Sequence, residues 1–124
     1  MPSYEVSVSG WFSAAHQLRL IDGSYEPLHG HNWRVTVTYA GEQLDEMGVL
    51  IDFTIVKPRL EELLRRFHDR NLNDQPAFRD GSPSAEMVAR YFADQLCELD
   101  TATARLRTVE VEEAPGCLAR FVIS

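Results

Sequence analysis

Two runs of strict alternation dominate the first third of the chain. Tyr4, Val6 and Val8 alternate with Glu5, Ser7 and Ser9, and the even positions continue through Gly10, Phe12 and Ala14 to His16. Further on, Trp33, Val35, Val37 and Tyr39 alternate with Arg34, Thr36 and Thr38. His29 and His31 share the odd parity of that apolar set. A period of two belongs to a half-buried strand, because successive side chains point to opposite faces. Each run therefore predicts a strand whose apolar face ends in histidine. The segment between them, Asp22-Gly23-Ser24-Tyr25-Glu26-Pro27, is a loop by composition.

The rest of the chain changes period. After Gly48 and a short apolar run, Asp52-Phe53-Thr54 opens a helix, with Asp52 or Thr54 as N-cap and Pro58 early enough to be tolerated near the first turn. Leu60, Leu63, Leu64 and Phe67 follow the i, i+3, i+4, i+7 spacing of one helical face. A polar loop runs from His68 to Ser82. A second helix begins near Pro83-Ser84, with Val88, Tyr91, Phe92, Leu96 and Leu99 on one side. Leu106 to Glu113 and Cys117 to Ile123 read as a hairpin around Pro115-Gly116. The order ββααββ predicts an α+β domain over residues 1–124, an antiparallel sheet with both helices on one face. Four strands leave two open edges, so association into a homo-oligomer is expected.

Composition excludes several roles. Nineteen acidic against twelve basic residues give a net charge of −7, with no basic cluster longer than Arg65-Arg66. Nothing there would neutralise a phosphate backbone, so no nucleic-acid partner is expected. No apolar run approaches membrane-spanning length and the first residues do not resemble a secretory signal, so a cytoplasmic protein without a membrane partner is expected. Cys97 and Cys117 match no metal-binding or redox spacing and read as reduced and structural.

The chemistry gathers around the histidines. The chain has four, and His16, His29 and His31 fall at the ends of the two strands. His29 and His31 are two apart, so they lie on one side of a strand at a spacing of about 6.5 Å. A lone histidine on an apolar face is usually a satisfied core residue. Three on matching parities, two of them in a His-Gly-His step, point to a metal site that keeps a fourth position open. Three neutral imidazoles leave the charge of a zinc ion uncancelled, so a bound hydroxyl would be acidified and a carbonyl polarised.

Three other places carry chemical residue types. Glu113 shares the parity of Val109 and Val111, and a carboxylate in an inward register must be paired, because burying it alone costs several kcal/mol. It is either a strand-end residue beyond the sheet or an anchor for a guanidine-like ligand edge. Glu26, three residues before His29, is either a solvated loop residue or a general base beside an acidified hydroxyl. His68-Asp69 closes the first helix, as a helix-end histidine with a turn-forming aspartate or as an acid/base pair supplied across an assembly.

Taken together, Phe12-Ser13-Ala14-Ala15-His16, Leu28-His29-Gly30-His31-Asn32-Trp33, Ile51-Asp52-Phe53, Asn71-Leu72-Asn73-Asp74, Pro83-Ser84-Ala85-Glu86 and Glu113-Ala114-Pro115-Gly116 resemble the 6-pyruvoyltetrahydropterin synthase / 6-carboxytetrahydropterin synthase family. The resemblance covers nearly the whole chain in order. It implies the tunnelling fold, a ββααββ unit assembling into an oligomeric barrel, a hexamer with active sites at subunit interfaces. It implies zinc on His16, His29 and His31, and Glu113 on the amino-pyrimidine edge of a pterin. The implied substrate is 7,8-dihydroneopterin triphosphate, its side-chain hydroxyls meeting the zinc.

Two departures shape the expectation. The family's cysteine base belongs shortly before His29, where this chain has Tyr25-Glu26-Pro27-Leu28. Glu26-Pro27-Leu28-His29-Gly30-His31 instead resembles a Glu-x-x-His-Gly-His variant that cleaves the side chain to 6-hydroxymethyl-7,8-dihydropterin, a folate precursor. A carboxylate base beside a zinc-polarised side chain suits such a retro-aldol cleavage. Further, the family reads Asp-His where this chain has His68-Asp69. Adjacent helical residues point about 100° apart, so either the local backbone re-aims one of them or the relay is altered. The folate-type lyase with Glu26 as base and His68 and Asp69 as relay is therefore expected first. Formation of 6-carboxytetrahydropterin for queuosine and deazapurine biosynthesis is the alternative, and a catalytically silent pterin-binding protein is the third reading.

Overall fold

The computed structural model describes residues 1–79 and 81–123. Strand β1 (Tyr4–His16) pairs along its whole length with antiparallel β2 (His29–Gly41). Helix α1 (Phe53–Phe67) follows, then a two-residue strand β3 (Arg70–Asn71), helix α2 (Ala85–Leu96), and the hairpin of β4 (Arg105–Ala114) and β5 (Cys117–Val122). The sheet order is β3-β1-β2-β4-β5, antiparallel except for β3, which runs parallel to β1. No helix among the described residues is long and apolar enough to cross a membrane.

The two alternating runs face each other as their parity requires. Val8 lies opposite Val37, Phe12 opposite Trp33, Ala14 opposite His31 and His16 opposite His29. Residues directly opposed in an antiparallel pair share a face, so the buried side of the sheet carries Phe12, Trp33, Val35, Val37 and Tyr39. Both helices cover that side. The ring of Phe12 lies 5.7 Å from Phe67 of α1 and 6.2 Å from Phe92 of α2, centroid to centroid. Buried residues of both helices and of β1, β2 and β4 form one apolar cluster, with Phe121 of β5 packed against it.

The helix starts follow their capping residues. Asp52 caps α1, its carboxylate accepting from the Thr54 N–H at 2.8 Å. Hydrogen bonds from the Thr54 hydroxyl and N–H hold the Asp52 carboxyl below its ordinary range. Ser84 caps α2 by accepting from Met87 N–H. Pro58 sits deeper than the first turn, inside α1, where it removes one backbone hydrogen bond that an earlier position would not have lost.

Three details depart from the sequence reading. The polar stretch after α1 holds β3, which pairs with Ala14 and Ala15, so the sheet has five strands. Between β2 and β4 the register slips, Thr38 facing Thr108 but Tyr39 facing Leu106. The slip around Arg107 lets Leu106 and Val109 both point into the core despite opposite parity. Cys97 and Cys117 are free but exposed, so neither thiol fills a core position.

Tyr39 is buried on β2 and its hydroxyl donates to the Leu96 carbonyl at 2.8 Å, satisfying a carbonyl at the end of α2. Burial raises its phenol above the ordinary value, so it remains a donor. Tyr39→Phe leaves that carbonyl without its partner and is expected to cost about 1–3 kcal/mol. Urea unfolding reads this directly, and an unchanged midpoint would contradict the assignment.

Candidate active site

His16 and His29 end the apolar faces of β1 and β2 opposite one another, and His31 stands two residues into β2 on the same face. Trp33 lies beneath them, its ring 4.7 Å from His16 and 5.6 Å from His31 in edge contacts. One ring nitrogen from each histidine lies within 4.8 Å of the others. His16 Nε2 and His29 Nε2 are 3.0 Å apart. Two nitrogens on one tetrahedral ion with bonds of 2.0–2.1 Å stand about 3.3 Å apart, so a small adjustment places all three on a metal.

In His16 and His29 the other ring nitrogen is already used. His16 Nδ1 is 2.8 Å from the Pro83 carbonyl and His29 Nδ1 is 2.8 Å from the Pro27 carbonyl. Each carbonyl accepts an Nδ1–H, which fixes the tautomer and leaves Nε2 with a lone pair facing inward. His31 Nε2 is buried with no hydrogen-bond partner. Burial lowers the pKa of His31 below 6.5; Glu113 opposes this shift, while His16 and His29 add to it. A buried, neutral, unpartnered imidazole nitrogen among two others oriented toward it has the donor chemistry of a borderline-soft divalent ion such as zinc. The residues fit a metal.

Two carboxylates border the cluster. Glu113 Oε1 is 3.1 Å from His16 Nε2 and 3.9 Å from His31 Nε2. The β4–β5 pairing is irregular here, Glu112 facing Leu118 and Ala114 facing Cys117. That break releases Glu113 from the ladder while its parity keeps it on the histidine side. Glu26 Oε1 accepts from the Leu18 N–H at 2.9 Å and lies 3.9 Å from His29 Nε2. The Glu26 N–H donates to the Leu18 carbonyl, so the loop is tied to the chain just beyond His16.

His68 and Asp69 are placed elsewhere. The Ser13 N–H donates to His68 Nδ1 at 3.0 Å and the imidazole meets Trp11 edge-on. Trp11 and Ser13 are odd positions of β1, the face turned away from the histidine triad. Among the described residues no hydrogen bond or ion pair joins His68 or Asp69 to His16, His29 or His31. The backbone turns between the two residues: His68 is extended and Asp69 has a φ of 59°. Aspartate tolerates that left-handed region better than most residues. The turn lets the Asp69 N–H reach the Ser13 carbonyl.

A match to the family model described as 6-pyruvoyl tetrahydropterin synthase spans residues 5–123. The chain belongs to this family. A Bacillus subtilis relative named 6-carboxy-5,6,7,8-tetrahydropterin synthase is 32% identical, the alignment covering 97% of this chain and 78% of the relative. The structure of the Caenorhabditis elegans 6-pyruvoyl tetrahydropterin synthase superposes with a TM-score of 0.83 at 26% identity, over 100% of this chain and 98% of that one. A Plasmodium vivax 6-pyruvoyltetrahydropterin synthase, solved with a glutamate described as catalytic replaced by alanine, shares the fold with a TM-score of 0.77 at 21% identity, over 98% of each chain.

Against the tetrahydropterin synthase pattern, the sequence reading missed the parts that aim the site. The Pro27 and Pro83 carbonyls that set the histidine tautomers carry no side-chain signature. The Asn73 side chain clamps Gln17, accepting from its N–H and donating to its carbonyl, both at 2.9 Å. This fixes the backbone immediately after His16, and gives the Asn71-Leu72-Asn73-Asp74 motif a physical task. Asparagine with its donor and acceptor on one short side chain was the available signal.

Proposed function

We propose that this chain is a zinc-dependent lyase acting on the side chain of 7,8-dihydroneopterin triphosphate, with Glu26 as its base. The observation that carries the reading is the convergence of His16, His29 and His31 on one point, with the Glu26 carboxylate 3.9 Å from His29 Nε2. Zinc on the three imidazoles would supply Lewis acidity to a side-chain hydroxyl or carbonyl oxygen. Glu26 is held by Leu18 with one oxygen over the site, where it takes the hydroxyl proton. Glu113 accepts the paired N–H groups of the amino-pyrimidine edge and so orients the ring. His68 and Asp69, which make no hydrogen bond or ion pair to the triad of their own chain among the described residues, would serve the site of a neighbouring subunit. The same reading carries a cytoplasmic homohexamer.

The name borne by the Bacillus subtilis relative favours 6-carboxytetrahydropterin, the queuosine and deazapurine route, as the product. This ranks above the folate-type cleavage expected first from the Glu-x-x-His-Gly-His stretch. Cleavage to 6-hydroxymethyl-7,8-dihydropterin is kept as the second reading because the residue beside His29 is a glutamate, as is the catalytic residue of the Plasmodium vivax protein. There, a side-chain hydroxyl loses its proton to Glu26 and becomes the carbonyl of a departing two-carbon aldehyde that carries the triphosphate, the adjacent carbon–carbon bond breaks, its bonding pair enters the pterin ring system and a proton returns to the retained carbon. Mass spectrometry of the products formed by the zinc-loaded protein decides between them. A 6-carboxytetrahydropterin is the expected product, and 6-hydroxymethyl-7,8-dihydropterin would promote the second reading. Substrate bound but unchanged would remove the enzyme assignment in favour of a pterin-binding protein.

A further inference from the structure

The outer edge of β1 is completed at Ser13 by His68 and Asp69 together. The Ser13 N–H donates to His68 Nδ1 at 3.0 Å, and the Ser13 carbonyl accepts the Asp69 N–H at 2.6 Å. A side-chain acceptor and a backbone donor thus stand in for a strand partner, and β3 takes over at Ala14 and Ala15.

The tautomer of His68 follows from the first contact. A ring nitrogen that accepts an N–H carries no proton, so the neutral ring has its proton on Nε2, which faces Asp69 Oδ2 at 3.5 Å. A second proton could only go to Nδ1, against the Ser13 N–H. Loss of the first would leave an imidazolate, which lies outside the protonation states of histidine in water near neutral pH. In this placement the ring neither takes nor gives a proton without breaking its contact. Asp69 has no such constraint. Its side chain is 79% exposed, and among the described residues its carboxylate meets only the His68 ring. The two side chains also border different cavities. His68 lies with Trp11, Glu61 and Arg65 around about 270 Å3, whereas Asp69 borders a groove of about 540 Å3 with Arg70 and with His31 of the histidine triad.

We propose that Asp69 is the proton-carrying member of the pair and that His68 is a positioning residue, a neutral latch that holds Asp69 against β1. The carboxylate accepts a proton released in the reaction and passes it to water, so one O–H bond forms at Asp69 and the same bond breaks. The inference rests on the lyase reading, assigns the two tasks within the pair, and holds for whichever subunit's triad Asp69 serves.

Wild type, Asp69→Asn, His68→Ala and His68→Asn are compared, all zinc-loaded, by turnover of 7,8-dihydroneopterin triphosphate, zinc content and thermal unfolding. Asparagine tolerates the left-handed backbone but cannot carry the proton, so Asp69→Asn should lose about 100-fold in kcat with zinc and melting temperature retained. His68→Ala removes the acceptor for Ser13 and should lower kcat about tenfold by letting Asp69 shift. In His68→Asn the amide oxygen takes the place of Nδ1, so this variant should recover most of that loss although no titrating ring remains. Asp69→Asn as active as wild type, or His68→Asn no better than His68→Ala, overturns the proposal. Nitrogen NMR of labelled wild type, with His68 assigned from the spectrum of His68→Asn, reads the latch without catalysis. A proton on Nε2 alone at pH 7 upholds it, and a protonated Nδ1 overturns it. Wild type that converts no pterin ends the lyase reading and the part of Asp69 with it, while the latch still stands or falls by the NMR result.

Discussion

Glu26→Gln is expected to lower turnover of dihydroneopterin triphosphate by about 10²–10⁴-fold, the range over which a positioned general base contributes. The substitution is nearly isosteric. Its carbonyl oxygen can still accept from the Leu18 N–H, so the loop between β1 and β2 stays tied down. The metal site should also survive, because His29 is aimed by the Pro27 carbonyl and not by Glu26. What the glutamine lacks is basicity. The variant should therefore keep one zinc per chain and its affinity for neopterin while losing the chemical step. Steady-state rates alongside metal analysis check this, and a loss below about threefold with zinc retained would remove Glu26 from the reaction.

His31→Ala should act earlier, on metal occupancy itself. Hydrogen-bond partners behind metal ligands are commonly worth about 10–100-fold in affinity, so deleting a ligand is expected to weaken zinc binding by more than about 100-fold and to remove activity with it. The fold should persist, since His31 lies at the rim of the sheet above Trp33 and is not part of the apolar cluster. The lowered pKa of His31 adds a pH signature. Its folded-state value lies below 6.5, so the metal-free wild type has the full contribution of the neutral imidazole above about pH 6.5. That contribution is lost as the pH falls through the folded value, where the buried ring must charge. His31→Ala should flatten this part of the stability profile. Equal zinc affinity in variant and wild type would contradict the ligand assignment.

How much of this was legible beforehand depended on which residues carry a periodic or chemical signal. Alternation in Tyr4–Val8 and Trp33–Tyr39 set the faces of β1 and β2, and parity alone placed His16, His29 and His31 together. Asp52 and Ser84 announced the helix starts because their side chains satisfy exposed N–H groups. The two-residue strand β3 had no such signal, since its ladder uses only backbone groups of Arg70 and Asn71. The register slip at Arg107 was equally silent: Leu106 is even and Val109 odd, and only the slip reconciles them. Glu113 was flagged by its inward parity, but its closeness to His16 needed the irregular pairing beside it. For His68 and Asp69 the residue types suggested chemistry, while the left-handed turn at Asp69 set the local backbone, and His68 meets Trp11 and Ser13 instead of the triad. The carbonyls of Pro27 and Pro83 are features of placement, not of residue identity.

With His16, His29 and His31 as a metal site, the proposed lyase chemistry depends on the ion they hold. The most direct test is to strip the protein with a chelator and follow dihydroneopterin triphosphate consumption while zinc is returned stepwise. No turnover is expected in the stripped protein, and activity should rise with zinc to a plateau near one equivalent per chain. Full activity in protein shown to hold no metal would contradict it.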